Sequence, residues 1–146
     1  MLAALLGGLI LSGLAIYAGM LLARLRRQQA MQWQAITVRN ERILESVRVI
    51  AHAVQEGQCD YSEGAIRLTN LLDALQIKGG RAFVAEFPGL YGLYEKVKDM
   101  PTHEARRALK RNEVMKMDLE RSGYEAELEA QILKDVAQLK DFQLGR

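Results

Sequence analysis

The chain has 146 residues, 49% apolar and 26% charged, with 20 Lys+Arg against 18 Asp+Glu and only 2 Pro. Every charged side chain lies beyond residue 23, so an uncharged opening precedes a remainder with the composition of an ordinary soluble domain. That arithmetic argues against intrinsic disorder, a multidomain enzyme, a polytopic transporter and a disulfide scaffold.

Leu2 to Ala23 is a 22-residue stretch without charge. As a helix it spans about 33 Å, the thickness of a bilayer's hydrocarbon core. Gly7, Gly8, Gly13 and Gly19 suit a membrane helix, whose backbone bonds are satisfied internally. A cleaved signal peptide would carry its basic residues ahead of a shorter apolar run; here the basic cluster follows it. Residues 1–23 are therefore expected to be a single-pass transmembrane anchor. Arg24, Arg26 and Arg27 end the run. They predict contact with anionic lipid and place the C-terminal bulk in the cytoplasm, with the N-terminus on the far side. Ala4, Gly8, Ser12, Ala15, Gly19 and Ala23 step by four or three and form one smooth face suited to helix association.

Residues 24–57 read as a juxtamembrane basic segment and one long helix, free of Pro and Gly until Gly57 closes it. Trp33, Ile36, Asn40, Ile43, Val47, Ile50 and Val54 alternate by three and four. This stripe serves either a short coiled coil with Asn40 in its seam or packing within the chain's own bundle, and the second reading is preferred.

Residues 58–146 are expected to form a helical bundle packing with 30–57. Asp60 or Ser62 can cap the next helix, with Glu63 at capping-box spacing from Asp60; that helix is marked by Ile66, Leu68, Leu71, Leu72 and Leu75, and Gly79-Gly80 ends it. Phe83, Phe87, Tyr91 and Tyr94 carry four of the nine aromatics on one stripe, broken by Pro88-Gly89. A packed core is its default use, and a docking surface or pocket is the sharper alternative. After Met100-Pro101, Thr102 can cap a helical tract running to about Phe142, with a soft spot at Ser122-Gly123. The predicted class is all-α, a transmembrane helix followed by a compact cytoplasmic bundle.

Little points to chemistry. His52 and His103 are the only histidines and Cys59 the only cysteine, too few for a metal site, so neither metal nor cofactor is expected. No base or orienting group accompanies Cys59, and no Gly-rich phosphate loop occurs. Arg106, Arg107, Lys110 and Arg111 make a basic patch, yet residues 99–146 hold nine basic against ten acidic side chains. Nucleic-acid binding is therefore not expected.

The order of features carries a resemblance. An N-terminal anchor is followed by Ser62-Glu63-Gly64-Ala65-Ile66-Arg67 leading to Leu71-Leu72-Asp73-Ala74-Leu75. The Pro101-Thr102 break and a charged helix with Arg106, Lys110 and Glu113 come next. Over nearly its whole length the chain resembles a family of small proteobacterial membrane-anchored proteins catalogued as a domain of unknown function. The resemblance implies a single-pass helical protein of the bacterial inner membrane and transfers no catalytic residues. The leading expectation is a non-enzymatic interaction or scaffold protein, binding membrane lipid and either a protein partner or a second copy of itself. Its rival is a membrane-anchored ligand-binding or enzymatic domain with a pocket near Phe83–Tyr94. A third reading, nucleic-acid binding at the membrane surface through Arg106–Arg111, would need steep salt dependence.

Overall fold

A computed structural model describes residues 1–145, the side chain of His103 excepted. Among the described residues all regular structure is helical: α1 (Leu2–Gln55), α2 (Tyr61–Asp73), α3 (Pro88–Val97), α4 (His103–Arg107) and α5 (Arg111–Leu139). The chain divides into two compact units, Met1–Arg39 and Asn40–Arg146.

The first unit is the opening part of α1, and no residue in it is buried. α1 is long and apolar enough to cross a membrane, and none of its most apolar 18-residue window is covered by protein. Inside this stretch the Ser12 hydroxyl donates to the Gly8 carbonyl at 2.8 Å, so this polar side chain is satisfied along the helix.

In the second unit, the C-terminal turns of α1 bury Leu44, Val47, Ala51 and Val54. The core continues through Ala65, Leu68 and Leu72 of α2, Leu90, Tyr91, Leu93 and Val97 of α3, and Ile132, Val136 and Leu139 of α5. The seven-residue stripe of α1 is thus spent inside this unit from residue 40 onward. Asn40 sets no coiled-coil register. Its amide donates to the Gln76 carbonyl at 2.8 Å, and its oxygen accepts from the Gln76 N–H at 3.2 Å. It clamps the peptide that follows α2.

Gly57 and Gly89 are among the glycines that geometry requires. Gly57 has φ +69°, with Gly57 N–H donating to Val54 and Gln58 N–H to Ala53. This is a Schellman closure of α1, and its left-handed residue favours glycine. Gly89 lies where α3 begins, and a Cβ there would sit 2.8 Å from the backbone of Gln131 and Ile132. Its missing side chain lets α3 lie directly on α5. Pro88 occupies the first turn of α3, where its lost N–H costs nothing.

Three expectations are corrected. α2 ends at Asp73, not at Gly79-Gly80, because the peptide just beyond it is taken out of the helix and held by Asn40. The Asp60 side chain makes no cap bond; the amide and hydroxyl of Ser62 instead donate to Glu125 of α5. The tract after Thr102 breaks at Ala108–Lys110, not at Ser122-Gly123, and α5 runs uninterrupted through Gly123. The new start is fixed by the Glu113 carboxylate, which accepts the Lys110 N–H at 2.9 Å. Gly123 has open space around it, so nothing beside it forces a turn and the helix continues at small cost.

Candidate functional site

The aromatic stripe was one candidate. Phe83, Phe87 and Tyr91 are buried, at 3%, 1% and 6% exposure, and only Tyr94 is half-buried. Phe142 meets Phe83 and Phe87 edge-on at 5.9 and 5.6 Å between ring centroids. Arg81 lies 5.3 Å over the Phe83 ring and 5.2 Å over Phe142, held there by Glu86 at 2.7 Å. Rings facing inward under a pinned guanidinium offer no outward docking surface. The Tyr91 hydroxyl donates to Asp73 at 2.6 Å. Burial first, and that bond second, push its pKa well above the ordinary tyrosine value. It is a structural phenol, not an acid poised for catalysis.

Asp135 is the buried charge that the sequence reading passed over. It is fully enclosed on α5 and accepts the Gly89 and Leu90 N–H groups at 2.7 and 3.1 Å and the Gln131 amide at 2.8 Å. Its signal was present: Asp135 falls on the same face as Ile132, Val136 and Leu139, where a charge must find a partner. With Glu125 on Ser62, α5 supplies a carboxylate to the N-terminus of both α2 and α3. These contacts satisfy orphan amides and favour negative charge at positive helix ends. Their chemistry is cohesion.

A cleft of about 210 Å³ lies among Asp60, Glu63, Met100, Arg106, Asp118 and Arg121. Arg106 donates to Asp118 at 2.7 Å, and this bond holds the Asp118 carboxyl below its ordinary pKa. A carboxylate so paired is a poor general base. The cleft is also smaller than the roughly 300 Å³ at which small-molecule sites begin. A broader, shallower groove of about 520 Å³, large enough for a small molecule but open to solvent, touches Val49, Ile50, Cys59 and Glu63. There burial, then the Glu63 carboxylate, pushes the Cys59 thiol up, away from a reactive thiolate.

Among the described residues no group of three or more His, Cys, Asp or Glu side chains could hold a metal. His103 lies outside the residues whose side chains are described. The six small residues of the membrane-type stretch and Arg24, Arg26 and Arg27 are exposed. Arg106 is engaged with Asp118, so the basic patch of α4 is partly neutralised.

A family model for a protein of unknown function, DUF2489, matches residues 11–139, nearly the whole described fold. The chain belongs to the DUF2489 family. A DUF2489 relative, an uncharacterized protein of Haemophilus influenzae (strain ATCC 51907 / DSM 11121 / KW20 / Rd), is 38% identical over 130 residues. The alignment covers 87% of this chain and 84% of that protein. No solved structure matches this DUF2489 chain.

Proposed function

We propose that this protein is a membrane-tethered helical interaction module, held in the bacterial inner membrane by residues 2–23, with its helical domain in the cytoplasm. There it binds a protein partner and performs no catalysis. One observation carries the reading: an apolar helical stretch of bilayer length that nothing in the protein covers. Leu5, Leu9 and Leu11 are 72%, 76% and 69% exposed, and leaving such surface in water costs about 25 cal/mol per Å². Arg24, Arg26 and Arg27 at its end favour the cytoplasmic side. The organisation of the polar groups supports the second half of the reading, because the buried Asp135 and Ser62 are spent on holding helix ends and Asn40 and Thr69 on backbone groups. A tether also makes a weak contact effective by confining it to a surface.

Fractionation of cells followed by thiol labelling tests this reading. The chain is expected in the membrane pellet, and Cys59 should resist an impermeant maleimide until the inner membrane is opened. A soluble chain, or labelling with only the outer membrane permeabilised, would refute it.

A further inference from the structure

The segment that follows α5 is held unlike the helices before it. Residues 141–145 are not helical, and their burial alternates. Phe142 and Leu144 turn inward against the core, while Asp141, Gln143 and Gly145 stay exposed. A period of two belongs to an extended strap, which sends every second side chain to one side. Two long hydrogen bonds tie its main chain. The Phe142 N–H donates to the Leu139 carbonyl, and Arg48 Nη1 of α1 donates to the Phe142 carbonyl, both at 3.3 Å.

The surface beneath the strap is built without it. The connection between α2 and α3 carries Phe83 and Phe87, stacked at 6.2 Å between ring centroids. The Phe83 carbonyl accepts from the Glu86 and Phe87 N–H groups at 3.0 and 2.9 Å, so the turn that presents both rings closes on itself. Two bonds at 2.7 and 2.8 Å fix Arg81 on Glu86. Upstream, Asn40 grips the Gln76 peptide. None of these contacts uses residues 141–145. Phe142 enters this frame as a ligand would: edge-on to both rings, beneath the Arg81 guanidinium, its carbonyl taken by Arg48. Alternate side chains in pockets with main-chain groups hydrogen-bonded is how extended peptides are recognised.

We propose that the pocket of Phe83, Phe87, Arg81 and Arg48 is a recognition site for an extended segment of a protein partner. That segment carries an aromatic residue and, two positions on, an aliphatic one. Phe142-Gln143-Leu144 fills the site in cis until the partner displaces it. The proposal deepens the tethered-interaction reading and rests on it. The strap itself states the chemistry of the occupant. A ring is required where Phe142 meets two aromatic walls and a cation, an aliphatic group where Leu144 packs, and nothing in particular at exposed Gln143. A strap joined to its own site acts at an effective concentration of about 1 mM. Weak binders are therefore kept out, and a partner succeeds by binding better or by being concentrated on the same membrane.

The test uses the full-length chain in detergent micelles and a fluorescent peptide copying residues 140–145. Phe142→Ala/Leu144→Ala empties the site. By anisotropy this variant should bind the peptide about tenfold or more tighter than the wild-type chain, whose site is open only part of the time. Leu144→Ala alone should fall between the two. A peptide with alanine at the aromatic place should bind the emptied variant about tenfold or more weakly. A benzophenone at that place should mark residues 81–87. A folded variant that leaves the peptide free, or binds both peptides equally, overturns the proposal. So does a variant that no longer melts cooperatively, because no pocket then stands without the strap. These failures leave pelleting with membranes, and hence the tether, untouched. In native membranes, a benzophenone side chain in place of Phe142 should crosslink within its own chain. Crosslinks between two differently tagged copies overturn the foreign partner, the strap then being exchanged between copies. A chain found in the high-speed supernatant removes the tethered reading while leaving the peptide result standing.

Discussion

Replacing Asp135 by alanine deletes the acceptor that holds α3 on α5. Two enclosed amides, Gly89 N–H and Leu90 N–H, lose their partner, and the Gln131 side chain loses one bond. Stranding a buried donor costs about 1–3 kcal/mol. Two of them, offset by the removal of a buried carboxylate, give about 3–4 kcal/mol. That is a large share of a typical stability of about 5–15 kcal/mol. For a unit of about a hundred residues it corresponds to a fall in Tm of about 12–16 °C. Asp135→Asn keeps an oxygen for the amides but turns an NH2 group toward Gln131, so about 1–2 kcal/mol is expected. The exposed Asp141→Ala serves as a control and should stay within about 0.5 kcal/mol. Thermal melts of the full chain in detergent micelles read the total. Hydrogen exchange at Gly89 and Leu90 reads the site, where the alanine variant should lose protection ahead of the rest of the domain. A melt that matches wild type, or unchanged protection at these two amides, would refute the assignment of Asp135 as the clamp.

Three further outcomes follow from the same contacts. Gly89→Ala forces a methyl against the backbone of α5 and should cost about 1–3 kcal/mol by overpacking, read as a lower melting midpoint. Asn40→Ala removes both bonds to the Gln76 peptide and should cost about 1–2 kcal/mol, with exchange quickening at the Gln76 amide. Because burial and Glu63 raise the Cys59 pKa, its thiolate fraction at a given pH is lower than in the unfolded chain. Its alkylation–pH profile should therefore lie to higher pH than in denaturant, with Glu63→Gln moving it back and Arg67→Gln moving it further up.

Much of this architecture was legible because it rests on local signals. Gly57 and Pro88 punctuate the chain with backbone constraints that any fold must honour, and α1 ends and α3 begins at those points, whereas α2 stops at Asp73, well before Gly79-Gly80. What escaped the sequence depends on contacts between distant residues. Glu125 reaches Ser62 across 63 positions and Asp135 reaches Gly89 across 46, separations that no helical period encodes. The break before Arg111 also carried a weak signal, since Lys110 is not a residue that caps with its side chain. For the site, the aromatic spacing marked out a candidate stripe, but spacing says nothing about whether such residues face inward. Burial of Phe83 and Phe87 beneath Phe142, a residue more than fifty positions later, decides that.

The placement of both helix-end carboxylates on α5 has a consequence for biosynthesis. The ribosome delivers the lipophilic stretch first, and Glu125 and Asp135 emerge about a hundred residues later. Until then α2 and α3 lack the carboxylates at their amino ends and can settle only on each other and on the last turns of α1. On the tethered reading proposed above, the nascent chain engages the insertion machinery while its second unit is still incompletely packed. Folding of that unit becomes a late event, timed by the arrival of the final helix.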